Sequence, residues 1–283
     1  MPAILCPRCR KLISSDVPRC PFCGQARPGL WGATTWLRRL GLQVDFPHLI
    51  TIAFVGLYVL ALLLDPGAIF NVRGMMSLLA PSGEALFRLG STGTAQVLRY
   101  DMWWTVITAI YLHGGLLHIF FNTMWVRQLG PLVEQLFGPW RLFVIFTVAG
   151  IVGFVCSAIV APFAGLVIPF VGAYARSSVG ASGSIFGLLA AAIVYGRRSG
   201  STLFTRQFLQ WAVILFIFGL VFPGVDNWAH GGGFVGGYVT AWLFSQRPGE
   251  REGVGTYLLA ALCALLTIGA FALQFIAAIS LFG

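Results

Sequence analysis

The sequence predicts an all-α protein that crosses a membrane several times and carries a small cysteine-rich head. Three observations lead to this fold class. Of the 283 residues, 58% are hydrophobic and only 10% are charged, whereas soluble domains carry about a quarter charged residues. Seven apolar runs are long enough, or nearly so, to cross a bilayer. Two Cys-x-x-Cys motifs precede the first of these runs.

The head is predicted over residues 1–25. Its motifs CPRC and CPFC supply two pairs of thiols that can surround one Zn²⁺ tetrahedrally. Disulfides are the alternative, but a cytosolic location disfavours them because thiols there stay reduced. The segment is too short for an apolar core, so we expect the metal to provide most of its folding energy. The predicted zinc ligands are Cys6, Cys9, Cys20 and Cys23.

The head resembles the small zinc-ribbon modules that are often appended to bacterial membrane proteins. Four cysteine ligands leave the ion no open position for chemistry. We therefore expect a structural ion, and a head that docks an unidentified cytoplasmic partner rather than one that catalyses. Residues 26–47 follow as a linker with interfacial character, seen in the stretch LWGATTWLRRL.

The apolar runs predict seven membrane spans, or six if one run is re-entrant or interfacial. They divide the remaining chain into a six-helix core at 48–246 and an additional carboxyl-terminal span within 247–283. The predicted spans are 48–64, 115–136, 141–161, 181–196, 208–222, 228–245 and 255–281.

Basic residues predict the orientation, because cytoplasmic flanks of membrane spans are enriched in Lys and Arg. With the amino terminus inside, 14 of the 18 Lys and Arg residues fall on cytoplasmic segments. The outer segments then hold only Arg73, Arg88, Arg99 and Arg176. The net charge of +9 therefore reflects topology, and no nucleic-acid partner is expected. We expect a multi-pass protein, in a bacterial inner membrane, with a cytoplasmic amino terminus.

Two glycine-bearing spans are predicted to bring a hydroxyl and an imidazole together. The stretch GASGSIFG places Ser182 at the start of the fourth span, and AHGGGFVGG places His230 at the start of the sixth. Small residues at four-residue spacing let helices approach closely, as at Gly233 and Gly237. A histidine that takes the proton of a serine makes that serine a nucleophile.

A second polar pair stands at the start of the second span, in HGGLLHIFFN. His118 and Asn122 are four residues apart and so share one helix face. Polar residues in spans often form interhelical hydrogen bonds, which is one interpretation. The other is that these side chains donate hydrogen bonds to an oxyanion.

Neighbouring polar residues offer further candidates. Asp226 lies four residues before His230 and could orient it as the third member of a triad; the favoured interpretation is a solvated loop residue at the outer face. Ser177, Ser178 and Ser184 are poorer nucleophile candidates because Ser182 alone is flanked by the small residues Ala181 and Gly183.

Taken together, the three motifs resemble those of the rhomboid family of intramembrane serine proteases, over roughly residues 48–246. The resemblance implies a Ser182–His230 dyad in a water-filled cavity open to the exterior, with His118, Asn122 and the Ser182 amide as the oxyanion site. It also implies single-span membrane proteins as substrates, within membrane lipid, and no cofactor for catalysis.

Two positions depart from the family's usual pattern. The first external loop of the family often carries Trp-Arg, where this chain has Trp104 and Thr105. The aromatic residue four positions after the serine, often tyrosine in the family, is Phe186 here. Two rival functions remain: an inactive relative that binds membrane proteins or acts in their quality control, and a transporter. Inactive relatives usually lose the serine or the histidine, and a transporter predicts an internal repeat, which the sequence does not show.

Overall fold

The computed structural model describes residues 3–6, 9, 11–14, 17–24, 45–70, 74, 77–164, 177–222, 224–244 and 252–282. The chain divides into two compact units, Met1–Asp45 and Phe46–Gly283. Most of the predicted linker, residues 26–44, lies outside the described residues. So do Arg73 and Arg176, which entered the charge count.

The first unit contains a short antiparallel hairpin. Strand β1 (Ala3–Leu5) pairs with strand β2 (Leu12–Ser14). From β2, Ile13 is buried against Cys6 and Cys20. This small cluster is built largely from the cysteines themselves, so packing in the described part of the head depends on what holds the four sulfurs together.

The second unit is a bundle of helices. Helix α1 begins at Phe46, two residues before the predicted start, and Pro47 fits this first turn because no intrahelical bond needs its missing N–H. The helices are α1 (Phe46–Leu64), α2 (Gly83–Leu89), α3 (Thr94–Leu98), α4 (Thr105–Thr108), α5 (Leu116–Phe137), α6 (Pro139–Val155), α7 (Ala161–Ala164), α8 (Ser182–Arg198), α9 (Thr202–Val221), α10 (Asn227–Phe244) and α11 (Val254–Phe282). Among the described residues the unit also contains two 3₁₀ turns, Pro66–Phe70 and Ala109–Tyr111, and a π turn, Cys156–Val160.

Helix α8 lies at the centre of the bundle. It contacts α5, α6, α9 and α10, and 13 of its 17 residues are buried. A helix shielded on this scale by other helices does not need an apolar surface toward lipid. Its glycines and serines are therefore compatible with a position inside the bundle.

Helices α8 and α10 cross at their glycines. A Cβ added at Gly237 would lie 2.2 Å from the Cα of Gly187, and one added at Gly233 would lie 2.2 Å from the carbonyl oxygen of Gly183. Real side chains do not approach backbone this closely. The predicted close packing of these two glycine-bearing helices is confirmed.

Each of the seven predicted spans coincides with a helix among the described residues, but fewer helices have the length and apolar composition of a span. Four qualify: Phe46–Leu64, Pro139–Val160, Thr202–Val221 and Val254–Leu281. A fifth is counted if Thr105–Tyr111 and Leu116–Phe137, which meet at 89°, form one broken span. The chain is thus a mostly helical protein with four or five apolar spans, and the count of seven stays a prediction.

Candidate active site

The hydroxyl of Ser182 lies within hydrogen-bonding distance of the imidazole of His230. The separation of Ser182 Oγ and His230 Nε2 is 2.8 Å, although the two residues are 48 positions apart. Ser182 begins α8 and His230 lies in the first turn of α10. The contact of their glycine faces brings these two helix starts together.

The partners of His230 determine which ring nitrogen carries the proton. The side-chain oxygen of Asn227 lies 3.1 Å from Nδ1, and an amide oxygen can only accept. Nδ1 therefore donates, and in a neutral ring Nε2 is then an acceptor facing Ser182. The ring of Phe186 stacks on the imidazole at 4.4 Å and 20°. Together these contacts fix the tautomer and the plane of the ring.

The backbone before Ser182 is shaped by Gly180, which has φ +126°. Glycine adopts this left-handed conformation without the strain of a Cβ. The Gly180 amide donates to the Ala109 carbonyl at 2.9 Å, and the first intrahelical bond runs from Ile185 N to Ala181 O. The amide of Ser182 therefore precedes the helical ladder. Ala181, as the N-cap, offers no side-chain acceptor to it, so this helix start can favour negative charge.

His118 and Asn122 lie beside this helix start. A Cβ at Gly180 would stand 2.5 Å from His118 Nε2 and 3.8 Å from Asn122 Nδ2. His118 Nδ1 accepts a hydrogen bond from the Gly114 amide at 3.3 Å, so the proton of the neutral ring is on Nε2. Asn122 is buried and donates one N–H to the His118 carbonyl at 2.9 Å, which leaves its second N–H for another acceptor. The structure thus places two N–H donors, from His118 and Asn122, beside Gly180, which is two residues before Ser182.

Asp226 is not the partner of the His230 ring. Its carboxylate accepts hydrogen bonds from Ser157 Oγ at 2.5 Å, from Ser178 Oγ at 2.8 Å and from the Ala229 amide at 3.0 Å. Asp226 therefore caps the start of α10 and connects this helix to the segments that contain Ser157 and Ser178. The interpretation of Asp226 as a triad member is wrong, because Asn227 rather than Asp226 faces His230 Nδ1. Asp226 is half-buried in the connection before α10, and its exposure to solvent at the outer face stays a prediction. Asn227 occupies the orienting position, and sequence reasoning missed it.

The other serines near Ser182 do not contact His230 among the interactions of the described residues. Ser178 donates to Asp226, Ser184 is fully buried, and Ser177 is exposed. Among these serines, Ser182 is the one with a described contact to the His230 ring, and its role as the nucleophile stays a prediction.

The four head cysteines form a second candidate site. Their sulfur atoms all lie within 4.8 Å of one another, with Cys6 and Cys23 at 3.6 Å and Cys9 and Cys20 at 3.7 Å. A tetrahedron of sulfurs with Zn–S distances of about 2.3 Å has edges of about 3.8 Å. None of the four is disulfide-bonded. The thiols therefore fit the tetrahedral ion that the motifs predict.

Comparison with known proteins identifies similar sequences. The family description "Rhomboid domain" matches residues 100–247, just over half of the chain. The chain is 34% identical over 162 residues to Rhomboid protease GluP of Bacillus subtilis, covering 56% of this chain and 29% of that protein. It is 31% identical over 176 residues to RHOMBOID-like protein 1 of Arabidopsis thaliana, covering 60% and 42%. It is 30% identical over 161 residues to Rhomboid-type serine protease 2 of Emericella nidulans, covering 55% and 30%. The matched part therefore spans less than half the length of each of these relatives.

Proposed function

Since this chain belongs to the rhomboid family, we propose that it is a serine endopeptidase that hydrolyses peptide bonds in or near transmembrane segments of membrane proteins. In this proposal Ser182 is the nucleophile and His230 is the general base. The observation that carries the proposal is the 2.8 Å separation of Ser182 Oγ and His230 Nε2. It is supported by two relatives whose names include the word protease, one of them serine protease.

The first half of the reaction forms an acyl-enzyme. Ser182 Oγ attacks the carbonyl carbon of the scissile bond while His230 Nε2 takes the hydroxyl proton. The Nδ1 proton, directed at Asn227, keeps Nε2 available for this step. His230 then gives its proton to the leaving amine, and the C–N bond breaks. A water molecule, deprotonated by the same nitrogen, hydrolyses the ester and restores Ser182.

The negative charge on the tetrahedral intermediate needs donors that are already in place. The Nε2–H of His118, the second N–H of Asn122 and the backbone amide of Ser182 supply them in our proposal. Each belongs to a fixed element, because α5 carries the first two and the start of α8 carries the third. Donors held in this way need no reorganisation when the charge develops.

The same proposal assigns places to the remaining parts of the chain. The head, 1–25, is cytoplasmic and binds one structural Zn²⁺ through Cys6, Cys9, Cys20 and Cys23, whose thiolates complete its coordination. The linker is 26–47, the protease core 48–246 and the additional span 247–283. The active site opens to the exterior face of a bacterial inner membrane, where single-span substrates reach it, and a cytoplasmic partner docks on the head.

Cleavage by reconstituted protein tests this function. The purified chain is placed in liposomes with a panel of tagged single-span membrane proteins that have small residues in or near the span. We expect fragments with the wild type and with Ser177→Ala, which changes an exposed serine near the site, but none with Ser182→Ala or His230→Ala. Fragments from Ser182→Ala would contradict the nucleophile assignment. Intact substrates throughout the panel would favour the inactive, membrane-protein-binding relative instead.

A further inference from the structure

Helix α11 lies outside the residues that match the rhomboid domain, yet it contacts α2, α4 and α6 within the bundle. Its inward-facing residues follow a spacing of four and three, which keeps them on one stripe of a helix. The other described positions are largely exposed. The stripe consists of Thr256, Ala260, Cys263, Thr267, Ala270 and Gln274.

Gln274 is the large polar residue on this stripe, and its exposed fraction is 2%. The three described hydrogen bonds of the Gln274 side chain all join it to the segment before α5, residues 83–111. Its Oε1 accepts from Trp104 Nε1 at 2.9 Å, and its Nε2 donates to the carbonyls of Phe87 and Arg88 at 3.0 and 3.1 Å. These carbonyls belong to the last turn of α2, where the Phe87 carbonyl also accepts from the capping Gly90 amide.

The anchored segment packs tightly around this amide. Helix α2 ends at Gly90, which has φ +97°. A Cβ at Gly90 would lie 2.3 Å from Thr108 Oγ1 and 3.1 Å from Gln274 Cγ. Thr108 Oγ1 donates to the Gly90 carbonyl at 2.6 Å. Gln274 therefore packs against the junction of α2 and α4, which is formed by Gly90 and Thr108.

From this junction the contacts continue to the nucleophile. The hydroxyls of Thr105 and Thr92 are hydrogen-bonded, with 3.0 Å between their Oγ1 atoms. Thr92 and Ser178 form a two-bond bridge, with N···O distances of 3.0 and 2.6 Å. Ser178 precedes Ser182 by four residues, and the Ala109 carbonyl, next to α4, accepts from the Gly180 amide. Together these hydrogen bonds connect the junction of α2 and α4 to the backbone segment that precedes Ser182.

The opposite end of α11 is anchored as well. The Glu252 carboxylate accepts a hydrogen bond from the Arg141 amide at 2.7 Å, in the first turn of α6. Burial raises the pKa of Glu252, while the Arg141 amide and guanidinium oppose that rise. A carboxylate at a helix start is stabilised by the unpaired amides and the helix dipole. Glu252 and Gln274 are 22 residues apart, or about 33 Å along a helix, which is about the thickness of the hydrocarbon core.

We infer that Gln274 is a positioning residue: through Trp104 and the end of α2 it holds the 83–111 segment and thereby the backbone that places Ser182 against His230. The inference rests on the proposed protease function for its effect on turnover, but not for the anchoring itself. An amide inside apolar surroundings is costly unless its hydrogen bonds are made, and here both the oxygen and the nitrogen are used. Helix α11, the additional span, therefore supports the protease core against which it packs.

Hydrogen exchange of the full-length protein in liposomes tests the anchoring without requiring activity. In Gln274→Leu we expect amides of residues 83–111 to exchange about tenfold faster or more, since three hydrogen bonds worth about 1 kcal/mol each are lost. Gln274→Glu keeps the acceptor for Trp104 but sets a carboxylate oxygen against the Phe87 and Arg88 carbonyls, so it should raise exchange at least as much as Gln274→Leu. Gln210→Leu is the matched control, because Gln210 is exposed on α9.

Turnover on a cleavable single-span substrate tests the link to the active site. We expect Gln274→Leu to lower turnover by roughly tenfold to a hundredfold with little change in KM, because misplacing reacting groups by 1 Å can cost about 100-fold. Adding Trp104→Phe to Gln274→Leu should lower turnover little further, since both substitutions break the same Trp104–Gln274 hydrogen bond. Unchanged exchange at 83–111, or exchange raised equally in all helices, would overturn the anchoring. Faster exchange with full turnover would overturn the link to Ser182. A wild type that cleaves nothing would refute the protease function, while the exchange result would still decide the anchoring.

Discussion

The side-chain oxygen of Asn227 lies 3.1 Å from Nδ1 of His230, so a neutral amide stands where a serine protease triad has a carboxylate. Asn227 is buried at the first position of α10, three residues before the histidine, and this spacing brings the two side chains together on one helix face. The pair keeps the opposite ring nitrogen directed at Ser182.

The first prediction concerns this pair. We expect Asn227→Leu to lower turnover about tenfold, because one neutral hydrogen bond contributes about 0.5–1.5 kcal/mol. KM should change little, since Asn227 holds the ring of the proposed base rather than the substrate. Steady-state kinetics with a single-span substrate measures both. Asn227→Asp should keep an acceptor at Nδ1 and lose less activity; equal turnover in Asn227→Leu and the wild type would show that Phe186 stacking alone fixes the ring.

The second prediction concerns the oxyanion donors. Replacing His118 or Asn122 by alanine should reduce turnover by about 10²–10³, the usual effect of removing one such donor. These substitutions leave Ser182 and His230 unchanged, so we expect the variants to fold but to cleave slowly. The measurement is single-turnover cleavage, with thermal unfolding as the check on folding. A variant that cleaves at the wild-type rate would show that its residue has only an interhelical role.

The third prediction concerns the head. Elemental analysis of purified protein should find one Zn²⁺ per chain, and Cys6→Ser should lower that ratio because one of four thiolates is lost. Cys156→Ser is the matched control, since Cys156 begins the π turn after α6 in the other unit and should leave the zinc content unchanged. Reduced, intact protein without zinc would refute the metal site.

The fourth prediction concerns orientation. A cysteine at Gly224, in the connection between α9 and α10, should react with a membrane-impermeant thiol reagent from outside intact cells. A cysteine at Ser199, exposed between α8 and α9, should react only after the membrane is opened. Labelling is compared with the parent chain, which has six cysteines of its own. The reverse pattern would place the active site on the cytoplasmic side.

The local parts of the site could be predicted from sequence because each depends on residues close together in the chain. The fourth and sixth spans were predicted to start at residues 181 and 228, and α8 and α10 begin at Ser182 and Asn227. Glycines and short polar residues mark such helix starts. His118 and Asn122 share a face for the same reason, as four-residue spacing on a helix requires.

The long-range partners could not be predicted, because no local pattern identifies them. Gln274 and Trp104 are 170 positions apart, and a single Gln in an apolar run does not indicate which segment it contacts. The hydrogen bonds of Asp226 to Ser157 and Ser178 could not be predicted either, because these partners lie 69 and 48 positions away in the chain. The count of seven spans stays a prediction. Helix α8 has only 17 residues, whereas a helical span needs about 20, and the helices that surround it shield its glycines and serines.

The pairing of Ser182 with His230 is the central claim, and a fluorophosphonate probe tests it most directly because the probe reacts with an activated serine without any knowledge of the substrate. After labelling of the full-length protein in membranes, mass spectrometry identifies the modified residue. We predict phosphonylation of Ser182 in the wild type, its loss in His230→Ala, and normal labelling in Ser177→Ala. Modification at another serine, or labelling of Ser182 that persists at the wild-type rate in His230→Ala, would contradict the dyad.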